Sequence, residues 1–291
     1  MLNLDPAPQL DLHACALPPA SGAVRLSRRV PLSALEALFR ISTARLMRGW
    51  RVGVLCLIFA LPVLFAVLAQ RFQRPYDAAW TESVVVFGLI PQALLPLAAL
   101  LFASGMVLDD VEEQTLTYLL IRPIPRWLIY LVKVAATWTV AAVVTSLFTA
   151  ASLAVVYWGT DTLSPGELAG RSAIFCGLLA LSLFTYTAMF GTLSLVLRRS
   201  LVLGVAYIVI FEGVLANIGF AVRRLTVLYY VRTLSVLWLD LPGGEWSIDP
   251  ATGPGAVECL SWLAGAAIFL ALLGSVIFSA REFRVKTPES S

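Results

Sequence analysis

The side chains able to do chemistry are few and unevenly placed. Four carboxylates fall within five positions at Asp109-Asp110-Val111-Glu112-Glu113, and a lone one, Glu212, stands inside a long apolar run. Clustered carboxylates work as metal ligands or as acid and base when partners stand near them, but Asp109 to Glu113 have no histidine or basic partner at ligand spacing. The sole histidine, His13, lies in a polar leader. Cys15, Cys56, Cys176 and Cys259 are far apart and form no C-x-x-C, so neither a zinc site nor a disulfide framework is indicated. The two lysines, Lys133 and Lys286, each follow a valine. No G-x-x-x-x-G-K phosphate loop exists, and the chain does not bind ATP through a P-loop of its own. No catalytic, cofactor or metal residue is expected, and a membrane-embedded enzyme lacks its reacting pair.

The elements that must carry these residues are membrane helices. Of 291 residues, 59% are hydrophobic and 13% charged, with a mean hydropathy of +0.85. The charged fraction is about half that of a soluble domain, which excludes an ordinary water-soluble enzyme. A net charge of +3 is too small to point to nucleic acid. A hydrocarbon core about 30 Å thick needs about 20 apolar residues in helix. Six segments meet this, approximately 52–69, 84–108, 134–158, 173–197, 201–222 and 256–280. Trp50, Trp80, Tyr157 and Trp158 flank them as headgroup-level aromatics do. An even number of spans puts both termini on one side. With that side cytoplasmic, 15 basic residues lie inside and six outside, as the positive-inside rule favours.

Residues 1–30 carry Asp5, Asp11 and several prolines and glycines without an apolar core, which reads as a disordered leader and not a secretory signal. Over 32–50, Leu35, Leu38, Phe39, Leu46 and Trp50 fall on one helical face and Glu36, Arg40 and Arg48 on the other. This predicts an amphipathic helix in the headgroup layer, an anchor or a gating element. Leu225–Leu241 is nearly long enough to be a seventh span. Arg232 at its middle and the Pro242-Gly243-Gly244 break favour a re-entrant or interfacial helix.

The four carboxylates suit the first turn of a helix, where free N–H groups and the dipole favour negative charge, with Asp109 or Asp110 as N-cap. That helix must stop before Pro123. A simple connector needs only a few residues, so a short docking helix between the second and third spans is expected.

The segment Thr115-Leu116-Thr117-Tyr118-Leu119-Leu120-Ile121-Arg122-Pro123-Ile124-Pro125-Arg126, preceded by acidic residues and followed by Tyr130 and Lys133, resembles the loop between the second and third spans of type-2 ABC transporter permeases. Phe211-Glu212-Gly213 to Asn217, then Arg223-Arg224, is similar to a glutamate-glycine, asparagine, arginine segment of bacterial members. The closing Arg281-Glu282-Phe283-Arg284-Val285-Lys286 agrees with them too. Gln114 stands where the family usually has glycine. The resemblance implies a membrane subunit of an ATP-driven exporter in the bacterial inner (plasma) membrane. Its coupling helix would rest on a separate P-loop ATPase subunit through Asp109, Asp110, Glu112, Glu113, Thr115, Leu116, Tyr118, Leu119, Arg122, Pro123 and Arg126. ATP and Mg would belong to that partner, present in two copies, and a second permease subunit, identical or related, would complete the assembly.

The resulting expectation is an all-α integral membrane protein with six transmembrane helices, an N-terminal interfacial helix, a cytoplasmic coupling helix and a long external loop between the fifth and sixth spans. Residues 31–286 form one permease domain and 287–291 a tail. Glu212 is either a titrating or substrate-contacting group, or a structural hydrogen-bonding one. Asn217, five residues on, is offset by about 140° in an ideal α-helix and need not share its face. Pro91 and Pro96 are expected to kink the second span. The stretches 70–81 and 159–171 read as plain connectors. A proton-coupled secondary transporter built on Glu212 is the alternative, but such proteins show two similar halves, and no internal repeat is visible.

Overall fold

The computed structural model describes residues 32–73, 75–112, 125–160, 162–197, 199–217, 221–239, 241, 248 and 253–280, with the side chains of 107–112 and 221–222 outside that description. The leader and tail expectations, and the loop 113–124, lie outside it. Every element among the described residues is helical. Six helices are long and apolar enough to cross a membrane: Trp50–Phe72, Ala78–Met106, Arg126–Val156, Pro165–Val196, Ser200–Asn217 and Ala256–Ala280.

Helix α1 (Leu32–Arg48) precedes them. Leu38 is buried against Ile129, with Ala34 and Leu35 beside it, while Leu32, Ile41 and Met47 stay exposed. This is the two-sided exposure of a helix that rests on protein along one face. Gly49, with extended backbone, separates α1 from α2 (Trp50–Phe72). Trp50 therefore opens the first span and is exposed, instead of continuing the α1 face.

The second span begins with one turn, α3 (Ala78–Thr81), capped by the Asp77 side chain on the Trp80 amide. It continues as a π-helix over Glu82–Leu94 and closes as α4 (Leu95–Glu112). Pro91 lies within the π stretch, and the Leu95 amide reaches five residues back to the Ile90 carbonyl. The expected proline effect thus takes the form of a wider helix over thirteen residues. A fifth-span π stretch, Ile208–Val214, follows α7 (Ser200–Tyr207) and leads into a 3₁₀ turn, Leu215–Asn217.

The fourth span, α6 (Pro165–Val196), is the centre of the bundle, packed against α4, the third span α5 (Arg126–Val156) and the sixth, α9 (Ala256–Ala280). A capping box opens α6: Ser164 Oγ accepts from the Glu167 amide, Glu167 returns the bond, and Pro165 occupies the first helical position. Where α5, α6 and α9 meet, Tyr130 lies against Gly191 and Gly274. Thr192 Oγ1 is shared between the Ala188 carbonyl of its own helix and the Leu270 carbonyl of α9, at 2.8 and 2.9 Å, and Thr185 Oγ1 likewise between Leu181 and Leu263, at 3.3 Å each. Small residues and hydroxyl bonds of this kind hold helices together in lipid, where apolar burial offers no gain.

The bundle has two ends. At the near end, Met106 packs with Tyr130, Leu195 and Phe278. At the far end, the Tyr76 hydroxyl donates to the Val156 carbonyl at 2.7 Å, and Gln70 caps carbonyls of the same turn. A further helix, α8 (Val227–Leu239), is almost wholly buried. Its 13 residues extend about 20 Å, too short to cross a bilayer. The seventh-span alternative is excluded.

Candidate functional site

Helix α8 is met at both ends by an ionisable side chain of the sign its dipole favours, Glu212 buried at one end and Arg171 half-buried at the other. At its N-terminus Thr226 Oγ1 accepts from the Tyr229 amide at 3.3 Å, an ordinary cap. Glu212, fully buried, adds its carboxylate there. Its Oε2 accepts from the Leu228 amide at 3.3 Å, its Oε1 from the Tyr207 hydroxyl at 3.5 Å, and the Val227 amide and Tyr186 hydroxyl also face it. At the C-terminus, Arg171 Nη1 donates to the Leu239 carbonyl at 3.1 Å. An anion at the N-terminus and a cation at the C-terminus both stabilise a helix.

Arg171 is itself anchored. Its Nε and Nη2 donate to the two oxygens of Glu82 at 2.7 and 2.9 Å, and the Tyr157 hydroxyl donates to Glu82 Oε2 at 2.8 Å. Glu82 is buried at the start of the second-span π-helix. This planar, two-point pairing is the strongest geometry open to a carboxylate. One cluster therefore ties the second, third and fourth spans to the end of α8.

The middle of α8 carries Arg232, 5% exposed. Its Nη1 donates to Asn217 Oδ1 and its Nη2 to Gln92 Oε1, each at 3.0 Å, while Asn217 Nδ2 donates to the Gly213 carbonyl at 2.7 Å. Beside Arg232 an open cavity of about 920 Å³ lies among the first, second and fifth spans. The two π-helical stretches supply most of its wall, including Gly88, Leu89 and Gln92 from one and Val209, Gly213 and Val214 from the other. π-helical segments are rare and concentrate at functional sites.

The structure places the expected residues as follows. Glu212 and Asn217 both reach α8, at its first turn and at Arg232. The 140° offset does not apply, because the chain between them is π-helical and then 3₁₀. Glu212 gives Oε2 to α8 and Oε1 to the Tyr207 hydroxyl, and the cavity is lined by its neighbours Gly213 and Val214.

The helix that ends the second span runs on through Glu112, so Asp109, Asp110 and Glu112 close α4 instead of capping a new helix. Nothing between Gly105 and Glu112 breaks a helix, and charge alone did not. Glu113, Thr115, Leu116, Tyr118, Leu119, Arg122 and Pro123 lie outside the described residues; Arg126 is the first residue of α5. Lys133 Nζ donates to the Met106 carbonyl at 3.1 Å, and the Arg51 guanidinium fills the space where a Gly105 side chain would begin.

The sequence marks Tyr157 only as a headgroup-level aromatic and does not single out Glu82, Arg171 or Gln92, and the stretches read as plain connectors supply Gln70, Tyr76 and Arg171. Their one signal is a pair of opposite charges, Glu82 and Arg171, flanking spans at the same end.

Glu212→Gln keeps an acceptor for the Leu228 amide, so the expected result is normal insertion and a small loss of stability. Glu212→Ala leaves buried donors without a partner and is expected to cost about 1–3 kcal/mol, measured as thermal melting in detergent. Equal melting of both variants and the parent would remove the anchoring role.

Six membrane-length helices among the described residues define a multi-pass membrane protein. The family model of the ABC-2 family transporter proteins matches residues 37–282. The chain belongs to that family and is a membrane permease component of an ABC transporter. No curated protein gives a match to the chain.

Proposed function

We propose that the chain is the membrane-spanning subunit of an ATP-driven exporter working by alternating access with a separate P-loop ATPase. The ATPase carries ATP and Mg, and the working assembly holds two ATPases and two permease subunits, the second a copy or a relative of this chain. The chain itself catalyses nothing. It resides in a bacterial plasma membrane with both termini cytoplasmic, its near end facing the partner.

The observation that supports this reading most is the near end of the second span. Helix α4 extends without a break to Glu112, so Asp109, Asp110 and Glu112 are carried on the same helix as Gly105 and Met106, beside which the Arg51 guanidinium and Lys133 lie. A push on Asp109–Arg126 reaches the first and third spans through those two cations, and the cavity through the second span itself. The stretch between α4 and α5 is longer than a turn requires and offers the docking surface.

Orientation tests the arrangement. In spheroplasts carrying a variant freed of native cysteines, Thr162→Cys is expected to react with a membrane-impermeant maleimide, and Thr117→Cys only after permeabilisation. The opposite pattern would place the loop away from any cytoplasmic ATPase.

A further inference from the structure

We propose that the outward face of helix α1 is a docking surface for anionic phospholipid, whose headgroup phosphates are met by Arg40 and Arg48. The inference goes beyond the permease reading and does not depend on it.

Two attachments fix where α1 lies. Its C-terminal end joins the first span through Gly49 alone, and Trp50 is the first residue of that span. Its middle packs on the start of the third span: Leu38 is buried against Ile129, with Leu128 and Val132 beside them, all within the first two turns of α5. A helix tied to the opening turns of two spans lies along the membrane boundary. Trp50 and Trp127, 71% and 47% exposed, stand at the start of the same two spans, as amphipathic rings do at headgroup level. The side of α1 opposite α5 points away from the bundle at that depth.

That side is not the apolar one. Leu35, Leu38 and Leu46, the stripe that hydropathy assigns to lipid, are taken up by contacts with protein. Arg40, Ile41, Ala44, Met47 and Arg48 are the exposed residues opposite them, and in an α-helix these five fall within about 120° of arc. Arg40 and Arg48 stand about 12 Å apart along the axis, and neither pairs with a carboxylate among the described residues. Arg45 is exposed too, and Glu36 is the one acid of α1.

The chemistry of this face selects its occupant. A guanidinium can meet two phosphate oxygens at once, and each basic side chain held near an anionic leaflet adds to binding. Ile41 and Met47, on the same face, are largely exposed and suit the boundary between headgroups and acyl chains, where a basic helix places its apolar residues. A zwitterionic lipid brings an ammonium to the same place, so the face discriminates by headgroup charge.

The test uses the full chain in nanodiscs of phosphatidylcholine. In a variant freed of native cysteines, Ala44→Cys, at the centre of the exposed face, carries a bimane fluorophore. Phosphatidylglycerol and phosphatidylcholine, each with a nitroxide near the ester end of one acyl chain and added at the same low mole fraction, are compared as quenchers. The anionic probe is expected to quench at least about threefold more strongly. That ratio should fall toward one in high salt and in the double variant Arg40→Gln with Arg48→Gln. Arg40→Lys with Arg48→Lys keeps the charges and is expected to retain most of the preference. Both arginines are exposed, so all these variants are expected to melt with the parent.

Equal quenching by the two probes, or an undiminished preference in the glutamine variant, would overturn the proposal. Quenching by neither would overturn it as well, by placing protein or water against the face. The assay needs no ATPase, so its outcome is separate from that of the permease reading.

Discussion

Replacing Asp109, Asp110, Glu112 and Glu113 together by lysine is expected to strip the ATP-binding partner from the purified complex while leaving insertion and melting of the permease unchanged. The four carboxylates sit within five residues at the close of α4 and just beyond it, ahead of the Thr115–Arg126 stretch. Like-charge juxtaposition at an interface costs several kcal/mol, and each 1.4 kcal/mol is tenfold in affinity. A loss of at least 100-fold is therefore expected. The parent complex should weaken with salt in the same direction, because exposed charges are screened within about 8 Å at physiological ionic strength. The measurement is partner recovered per permease after affinity capture. Full recovery with four lysines would move the contact away from this run.

The second large effect concerns the far end. Arg171→Ala leaves the buried Glu82 carboxylate without its two-point partner, a loss of up to about 3–5 kcal/mol, and Glu82→Ala, which strands the half-buried Arg171, costs less. Arg171 also supplies the donor on the Leu239 carbonyl, so its loss frees the C-terminus of α8 as well. Both variants are expected to melt well below the parent in detergent, and Glu82→Gln, which can still accept from Tyr157, to fall between. The double variant Glu82→Gln with Arg171→Gln should recover part of the loss, since neither charge is then stranded. Additive losses in that cycle would show that the two residues do not act as a pair. A protease site opened in 240–255 only in the single variants would locate the loosening at α8.

The membrane architecture was legible because it rests on hydropathy summed over some twenty residues, where single errors average out. The Thr115–Arg126 segment was legible for a different reason, its likeness to a family. What escaped was local geometry and long-range pairing. A hydropathy window starting at Val84 left Glu82 outside the second span, although its helix begins at Ala78. Asp109 and Asp110 obeyed the rule for a helix start, yet α4 had no breaker to end it. The 140° between Glu212 and Asn217 holds for about 3.6 residues per turn, and the chain there is not an α-helix. Gln92, far from Arg232 in sequence, meets it only once the second and fifth spans flank α8. No sequence periodicity encodes such a contact, because it depends on which helices become neighbours.

The most direct measurement is to express the chain with its neighbouring genes, capture it through a tag in mild detergent, and assay the preparation for a P-loop subunit and ATP hydrolysis. A nucleotide-binding subunit that co-purifies, and whose hydrolysis depends on the permease and falls with the four lysine substitutions, is the predicted result. A chain that leaves intact membranes alone, without ATPase activity though the neighbours are expressed, would contradict the coupling account.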